Sequence, residues 1–380
     1  MAVDRSLLTT DVESVVRDPA IDIVVELIGG IEPARSLVLE AIAAGKDVVT
    51  ANKALLAKHG REVFQAAERK GVRLGFEGSV AGGVPIIRIL REALAGDRNR
   101  AIYGIVNGTC NSILTAMTED GREFPEALAD AQAAGLAEAD PSLDVDGIDA
   151  AQKLSLLVML GFGAVFPASE IYAEGIRGIT QLDIGFAREL GYVIKLLAIA
   201  KDDGRSVEAR VHPTMIRRGD LLADVRGAFN AIHIEGEALG PSTYVGLGAG
   251  MLPTATSVTG DVIEIARERV LGARSTTAPL GLPWKALRKG RMKSIGALEC
   301  EYYLRFLVAD RPGVLGRIAG ILGRHRISIA SVIQKDRDRK ASVPIVIRTH
   351  EALERNMRAA LEEIGSFSVV RGKPVSIRIL

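Results

Sequence analysis

Cysteine is scarce: the chain of 380 residues carries two, Cys110 and Cys300, far apart in sequence. That excludes a disulfide framework and any cysteine-rich metal or redox spacing, and it suits a reducing compartment. Aromatic residues make up only 4% while glycine is abundant at 40, which fits alternating β/α units with glycine turns better than an all-β sandwich. Charge of one sign is lacking too. Lys+Arg number 48 against Asp+Glu 47, a net charge of +1, so there is no electrostatic footprint for nucleic acid or an anionic membrane. No apolar run reaches the roughly 18 residues of a membrane span. The first residues, Met1-Ala2-Val3-Asp4-Arg5, lack the basic-then-apolar order of a signal peptide, and a cytoplasmic protein is expected.

One further absence concerns a motif. Residues 21–27, 47–49 and 72–76 read as strands buried on both faces, with helices between them at 33–44 and 60–70. This is the β-α-β-α-β rhythm of a doubly wound sheet, whose ligands sit beyond the C-terminal ends of the strands. Gly29-Gly30 and 50–53 lie at such ends and are candidate cofactor contacts. Yet no G-x-G-x-x-G turn is present, and residues 1–20 contain no glycine. The sheet reads as if it began in its middle. Either the chain is truncated or the phosphates are held another way.

The densest chemistry is Ala137-Glu138-Ala139-Asp140-Pro141 and its continuation through Asp144, Asp146 and Asp149 to Lys153. Five acidic residues and one lysine fall within 16 positions, next to an apolar stretch. A helix from Asp146 onward is expected, with Asp146, Asp149 and Lys153 on one face at i, i+3 and i+7. A lysine held among carboxylates against an apolar wall can be tuned as a proton donor or acceptor. An ordinary charge cluster at a helix start is the competing reading.

Other stretches carry weaker signals. The glycine-rich loop 77–85 suits a tight strand-to-helix connection, a phosphate cradle, or a cation site of carbonyls with Glu77. A strand at 101–106 leads into Asn107-Gly108-Thr109-Cys110-Asn111, a helix start whose free N–H groups suit a carboxylate or merely a cap. Residues 191–200 read as an amphipathic helix with solvated Lys195. His212 and His233, alternating among apolar residues, read as structural. Residues 246–256 form a second glycine-rich turn before a helix at 257–270. Residues 271–299 read as a linker with solvated basic charge. Downstream, the order βαββαβ makes a ferredoxin-like unit without catalytic clustering, a binding or pairing module.

Taken in order, VVELIGG, AIAAGKDVVTANKAL, FEGSVAGGVPII, GIVNGTCNSILTAM, GLAEADPSLDVDGIDAAQKL, residues 248–254 and 310–334 resemble one family: homoserine dehydrogenases with a C-terminal ACT domain. The resemblance runs over nearly the whole chain. It implies an α/β protein with an incomplete Rossmann-type nucleotide domain at 1–100, an α+β substrate and dimerisation domain at 101–280, and an ACT domain at 300–380. The helix at 253–270 is expected to pack back on the nucleotide domain. The implied reaction is reversible, NAD- or NADP-dependent reduction of aspartate 4-semialdehyde to homoserine. Lys153 would exchange the proton of the C4 oxygen, with Asp149 holding it, and Lys53 would help position nicotinamide and substrate. Glu138, Gly108, Thr109, Asp140 and Asp144 would meet the substrate. Gly29, Gly30, Lys53 and Gly248 would line the cofactor. Glu77 with the carbonyls of Val80, Gly82 and Val84 matches a structural sodium site. Asp310, Gly313, Val314 and Leu315 match an effector turn, with threonine the usual effector, and a homodimer or homotetramer is implied. Leu136 and Cys110 depart from the family's common tyrosine and threonine.

Two rival functions follow from the same residues. A decayed enzyme acting as an amino-acid sensor fits the missing glycine fingerprint but leaves Lys53, Glu138, Asp149 and Lys153 without purpose. An aldehyde dehydrogenase working through Cys110 would need a base, and no histidine lies close to it in sequence.

Overall fold

A computed structural model describes residues 4–273, 278–334 and 342–380. The chain divides into two compact units. One holds Met1–Val106, Ala151–Ile171 and Asn230–Gly290, and the other holds Asn107–Ala150, Tyr172–Phe229 and Arg291–Leu380. The architecture is α/β, as predicted.

In the first unit the apolar runs become the strands Ile23–Glu26, Asp47–Thr50 and Leu74–Gly75, a parallel three-stranded sheet in chain order. Ile23 pairs with Asp47, and Val48 with Leu74. The helices Ala34–Ala43 and Lys53–Lys70 make the crossovers. Gly71, in the left-handed conformation, ends the second of these. Val49 of the sheet packs with Val258 and Ile265 of the long helix Met251–Val270. The same unit contains Asn99–Ile105, antiparallel to Phe229–Gly236, with Gly240–Leu247 beside the latter.

The predicted linker is partly packed. Trp284 stacks on Phe64 with ring centroids 6.2 Å apart, and its backbone N–H donates to the Glu68 carboxylate at 2.7 Å. Arg288–Lys289 pairs in parallel with Ala164–Val165. A basic, proline-containing stretch reads as linker because composition cannot reveal an aromatic side chain docked on a distant helix.

The second unit begins with the helices Gly108–Glu119 and Phe124–Ala133 and the single turn Ser142–Val145. The helix Ile148–Phe162 starts here and runs on into the first unit. Residues 191–200, predicted as a helix, are instead part of the strand Tyr192–Asp202, which pairs along its full length with Val207–Arg217. A long, nearly continuous apolar run carries no decisive period, and the β-branched residues were the better guide. Lys195, expected in solvent, is only 2% exposed.

The C-terminal module folds as βαββαβ: Glu299–Val308, Val314–Arg324, Ile329–Gln334, Val343–Thr349, Glu354–Gly365 and Val370–Ile379. Its core gathers Leu304, Phe306, Ile318, Leu322, Ile345, Met357 and Ile364. The module is not a pendant. Its last strand runs parallel to Val207–Arg217, with Arg378 opposite Thr214 and Ile379 opposite Met215. Arg305 reaches the fully buried Asp183 at 2.6 and 2.9 Å, and Tyr303 donates to the same carboxylate at 3.1 Å. His212 is completely buried, and burial together with Arg378 and Arg210 holds it neutral, well below its ordinary range. Among the described residues no helix is long and apolar enough to cross a membrane.

Candidate active site

In the second unit the site is built on Asn107. It caps the helix Gly108–Glu119 by accepting the N–H of Cys110 at 2.8 Å through Oδ1. Its two Nδ2 hydrogens go elsewhere: Asp144 accepts at 2.7 Å and Asp149 at 2.8 Å. A primary amide has two donors and an acceptor, so one side chain caps a helix and holds two carboxylates in place. Cys110 is buried, and its thiol donates to the carbonyl of Asp144 at 3.2 Å. Thr109 donates to the carbonyl of Leu136 at 2.6 Å, fixing the start of the acidic stretch against the same helix.

The acidic residues therefore divide. Asp144 and Asp149 converge on Asn107. Glu138 and Asp140 are exposed, and hydrogen bonds from Ser142 hold the Asp140 carboxyl below its usual range. Asp146 does not share a face with Asp149 and Lys153, contrary to the periodicity. It caps the preceding turn and pairs with Arg177 at 2.6 Å. The cause is Gly147, whose φ of 81° breaks the helix before Ile148. A side chain there would also press on Val211 at 3.2 Å and on the carbonyl of Glu174 at 3.4 Å.

Behind the Gly108–Glu119 helix lies a support that the sequence did not disclose. Lys195 donates to Asn111 Oδ1 at 3.0 Å and to the carbonyl of Val225. Asn111 in turn donates to the carbonyls of Val225, Gly227 and Phe229. Burial pushes the Lys195 ammonium down to about 8.

In the first unit, Lys153 lies on the helix Ile148–Phe162, one turn beyond Asp149. It is 9% exposed, and one of its three donors goes to the carbonyl of Val106 at 2.8 Å. The parallel sheet carries its own anchor. Glu26, buried at the end of its strand, accepts from Thr50 Oγ1 at 2.6 Å and from the N–H groups of Ile28 and Gly29 at 2.8 and 3.2 Å. Asn52 caps the helix that Lys53 opens and donates to the carbonyl of Gly30 at 2.7 Å. Gly29 and Gly30 are both left-handed, with open space where a Cβ would stand. An exposed glycine turn pinned from beneath is a cradle that a flat or anionic group can approach.

Glu77 accepts the N–H groups of Ile87 and Arg88 at 2.8 and 3.0 Å, and burial raises its carboxyl to about 7. Val80 and Val84 are buried, and the carbonyl of Gly82 accepts from Ser257 at 2.7 Å. Gly248 follows the strand Gly240–Leu247 and lies against the side chain of Asn230. In the C-terminal module Asp310, Gly313, Val314 and Leu315 line a pocket of about 320 Å³ that Gln334, Val343 and Ile345 complete.

Of these residues, Glu26, Asn230 and the Lys195–Asn111 pair were not singled out as site residues from sequence. Glu26 had a signal, a carboxylate inside an otherwise apolar strand. The others had none, since each matters through a partner distant in sequence.

The chain is similar to proteins of one family. Residues 85–263 match the family model "Homoserine dehydrogenase", residues 2–77 match "Homoserine dehydrogenase, NAD binding domain", and residues 302–368 match "ACT domain". A homoserine dehydrogenase of Pseudomonas aeruginosa is 44% identical over 373 residues, covering 98% of this chain and 86% of the relative. The crystal structure of a homoserine dehydrogenase from Thiobacillus denitrificans superposes with a TM-score of 0.92 at 46% identity, covering 98% of this chain and 85% of the other. A hyperthermophilic archaeal homoserine dehydrogenase solved in complex with NADPH is similar at a TM-score of 0.57 and 29% identity, over 65% of this chain and 72% of the other. A parallel sheet with a glycine cradle, a buried lysine one turn from a buried aspartate, and an effector-type module thus occur together in a chain that belongs to the homoserine dehydrogenases with an ACT domain.

Proposed function

We propose that Lys153 is the proton donor and acceptor in the interconversion of aspartate 4-semialdehyde and homoserine. The observation that carries this is the anchoring of Lys153 and Asp149 at consecutive residues, Val106 and Asn107, through bonds of 2.8 Å each. Asp149 and Lys153 also lie one turn apart on a single helix, which keeps the set spacing that proton transfer needs.

The nicotinamide ring, when bound, supplies or accepts the hydride. The chain does the rest. Reduction of the aldehyde places negative charge on the C4 oxygen, and a cationic lysine in a half-apolar setting stabilises that charge and delivers the proton. Asp149, one turn earlier on the same helix, holds the lysine in place. Lys53, at the start of its helix, helps orient substrate and ring. Glu138 takes the substrate's amino group. Gly108, Thr109, Asp140 and Asp144 bound the rest of it.

Gly29, Gly30 and Gly248 line the cofactor, and NADP or NAD would fit the open cradle. The archaeal relative's NADPH complex supports a nicotinamide cofactor. A sodium ion at Glu77 and the carbonyls of Val80, Gly82 and Val84 is a further part of the proposal. A buried carboxyl raised by desolvation is one that a cation would re-ionise, and each carbonyl keeps a second lone pair. Threonine is proposed as the effector at Asp310, Gly313, Val314 and Leu315, in a homodimer or homotetramer.

The test is spectrophotometric: homoserine-dependent reduction of NADP+ and of NAD+ by the purified chain, with and without threonine. Turnover with at least one coenzyme, lowered by threonine, is expected. Threonine binding without turnover would favour the sensor instead.

A further inference from the structure

The glycine turn at residues 27–30 could seat a phosphate or a ring, and its hydrogen bonds decide between them. An anion cradle works by offering free backbone N–H groups. Here the N–H groups of Ile28 and Gly29 are already taken, both donating to Glu26 Oε1 at 2.8 and 3.2 Å. The Gly30 carbonyl is held as well, accepting from Asn52 at 2.7 Å. Glu26 is buried, so its carboxylate lies directly beneath the turn. A phosphate arriving there would meet occupied donors and a like charge.

The open side of the turn suits a ring. Gly29 and Gly30, with φ of 76° and 70°, have nothing within 4 Å of where a Cβ would stand. Leu27 and Ile28 beside them are exposed. A flat surface bordered by apolar side chains takes a flat group without negative charge. Both rings of a nicotinamide coenzyme are flat, but only the nicotinamide becomes a cation, when oxidised, and so gains from a carboxylate beneath it. Glu26 also stands opposite Thr50, three residues before Lys53.

We propose that Glu26 is a positioning residue that holds residues 27–30 as the seat of the nicotinamide ring and, through its charge, favours the oxidised coenzyme over the reduced. This rests on the reading of Gly29 and Gly30 as part of the cofactor site.

Glu26→Gln separates charge from shape. Its Oε1 can keep both backbone N–H groups, and Thr50 Oγ1, which donates to Glu26 at 2.6 Å, can turn to accept instead. Fluorescence titration gives Kd for NADPH, and its displacement gives Kd for NADP+ and for 2′-phospho-ADP-ribose, which lacks the ring. In Glu26→Gln, NADP+ should bind about fivefold more weakly, with NADPH and the ring-free fragment within about twofold of wild type. Lys53 is unchanged in this comparison, so the ratio reports Glu26 alone. Glu26→Ala, which also frees the turn, should weaken both coenzymes and spare the fragment. An unchanged NADP+ to NADPH ratio in Glu26→Gln overturns the proposal. So does a proportional loss for all three ligands, the mark of a structural residue. Tighter binding of the fragment overturns it too, because it puts phosphate over Glu26. In each of these cases the cofactor reading of the turn survives. If wild type binds none of the three ligands, that reading falls as well.

Discussion

Asn107 and Asp149 are joined by a 2.8 Å hydrogen bond from Nδ2 to Oδ2, while the same amide nitrogen donates to Asp144 at 2.7 Å and Oδ1 caps a helix. Nothing in Asn107 is left over. One neutral amide thus holds both carboxylates at the start of the Gly108–Glu119 helix.

Replacing Asn107 with alanine should release both carboxylates and the helix cap together. Activity should fall about 10- to 100-fold through misplacement of the reacting groups. Stability should fall by about 1 kcal/mol through loss of the cap. Asn107→Asp should be worse for activity, because it adds a third negative charge. Steady-state kinetics and urea unfolding check both, and activity within twofold of wild type in Asn107→Ala would contradict the assignment.

Lys195 supports the same helix from behind, and its pH behaviour has a definite sign. Its folded-state value is lowered to about 8 from 10.5, chiefly by burial, with Glu119 and Asp224 opposing and Arg226 assisting. Between those values the unfolded chain holds more protons than the folded one, so folding stability rises with pH in that window. The full shift corresponds to something on the order of 3 kcal/mol. Urea unfolding at pH 7 and pH 9.5 should therefore show wild type gaining on Lys195→Met as pH rises. A wild type that loses stability relative to Lys195→Met as pH rises would contradict the burial of a charged lysine.

Asp183 accepts from Arg305 and Tyr303 of the C-terminal module and from Thr180, all in a buried setting. Removing one member of such a set strands the rest. Asp183→Ala should cost about 3–5 kcal/mol. A loss below about 1 kcal/mol in urea unfolding would show that the contact is not structural, since pairs of that size are typical of solvent-exposed sites.

Arg378 of the last strand joins Glu354 at 2.6 Å and Glu174 at 2.8 Å. Two residues on, the N–H of Ile176 donates to the carbonyl of Val145 at 2.8 Å, between Asp144 and Asp146. This is a continuous bonded route from the effector-type module to the acidic loop. Glu174→Ala should leave turnover without effector within about threefold of wild type, since a half-exposed ion pair and one hydrogen bond from Tyr172 are lost. With threonine, the proposed effector, the concentration for half-inhibition should rise severalfold. An unchanged inhibition curve would exclude this route.

Much of the fold was legible because the nucleotide-type strands are unbroken apolar runs between glycines, and because the C-terminal module alternates cleanly. The helical positions of Lys53, Asp149 and Lys153 were legible as well, from helix starts and one-turn spacing. The failures share a cause. Asp146 was placed on the wrong face because a single left-handed Gly147 breaks the period. Lys195 was misplaced because one lysine in a long apolar run looks alike in a helix and in a central strand. Asn230 was invisible, since an asparagine at a strand start carries no mark that Gly248 lies beneath it.

The most direct measurement is on Lys153. Lys153→Ala and wild type are compared for kcat in homoserine oxidation and, separately, for NADPH affinity by fluorescence. A fall in kcat of about 100- to 10,000-fold, the usual contribution of a positioned general acid or base, is expected with Kd for NADPH changed less than threefold. An alanine variant that keeps kcat within a few-fold of wild type would contradict the assignment of Lys153 as the proton-transfer residue.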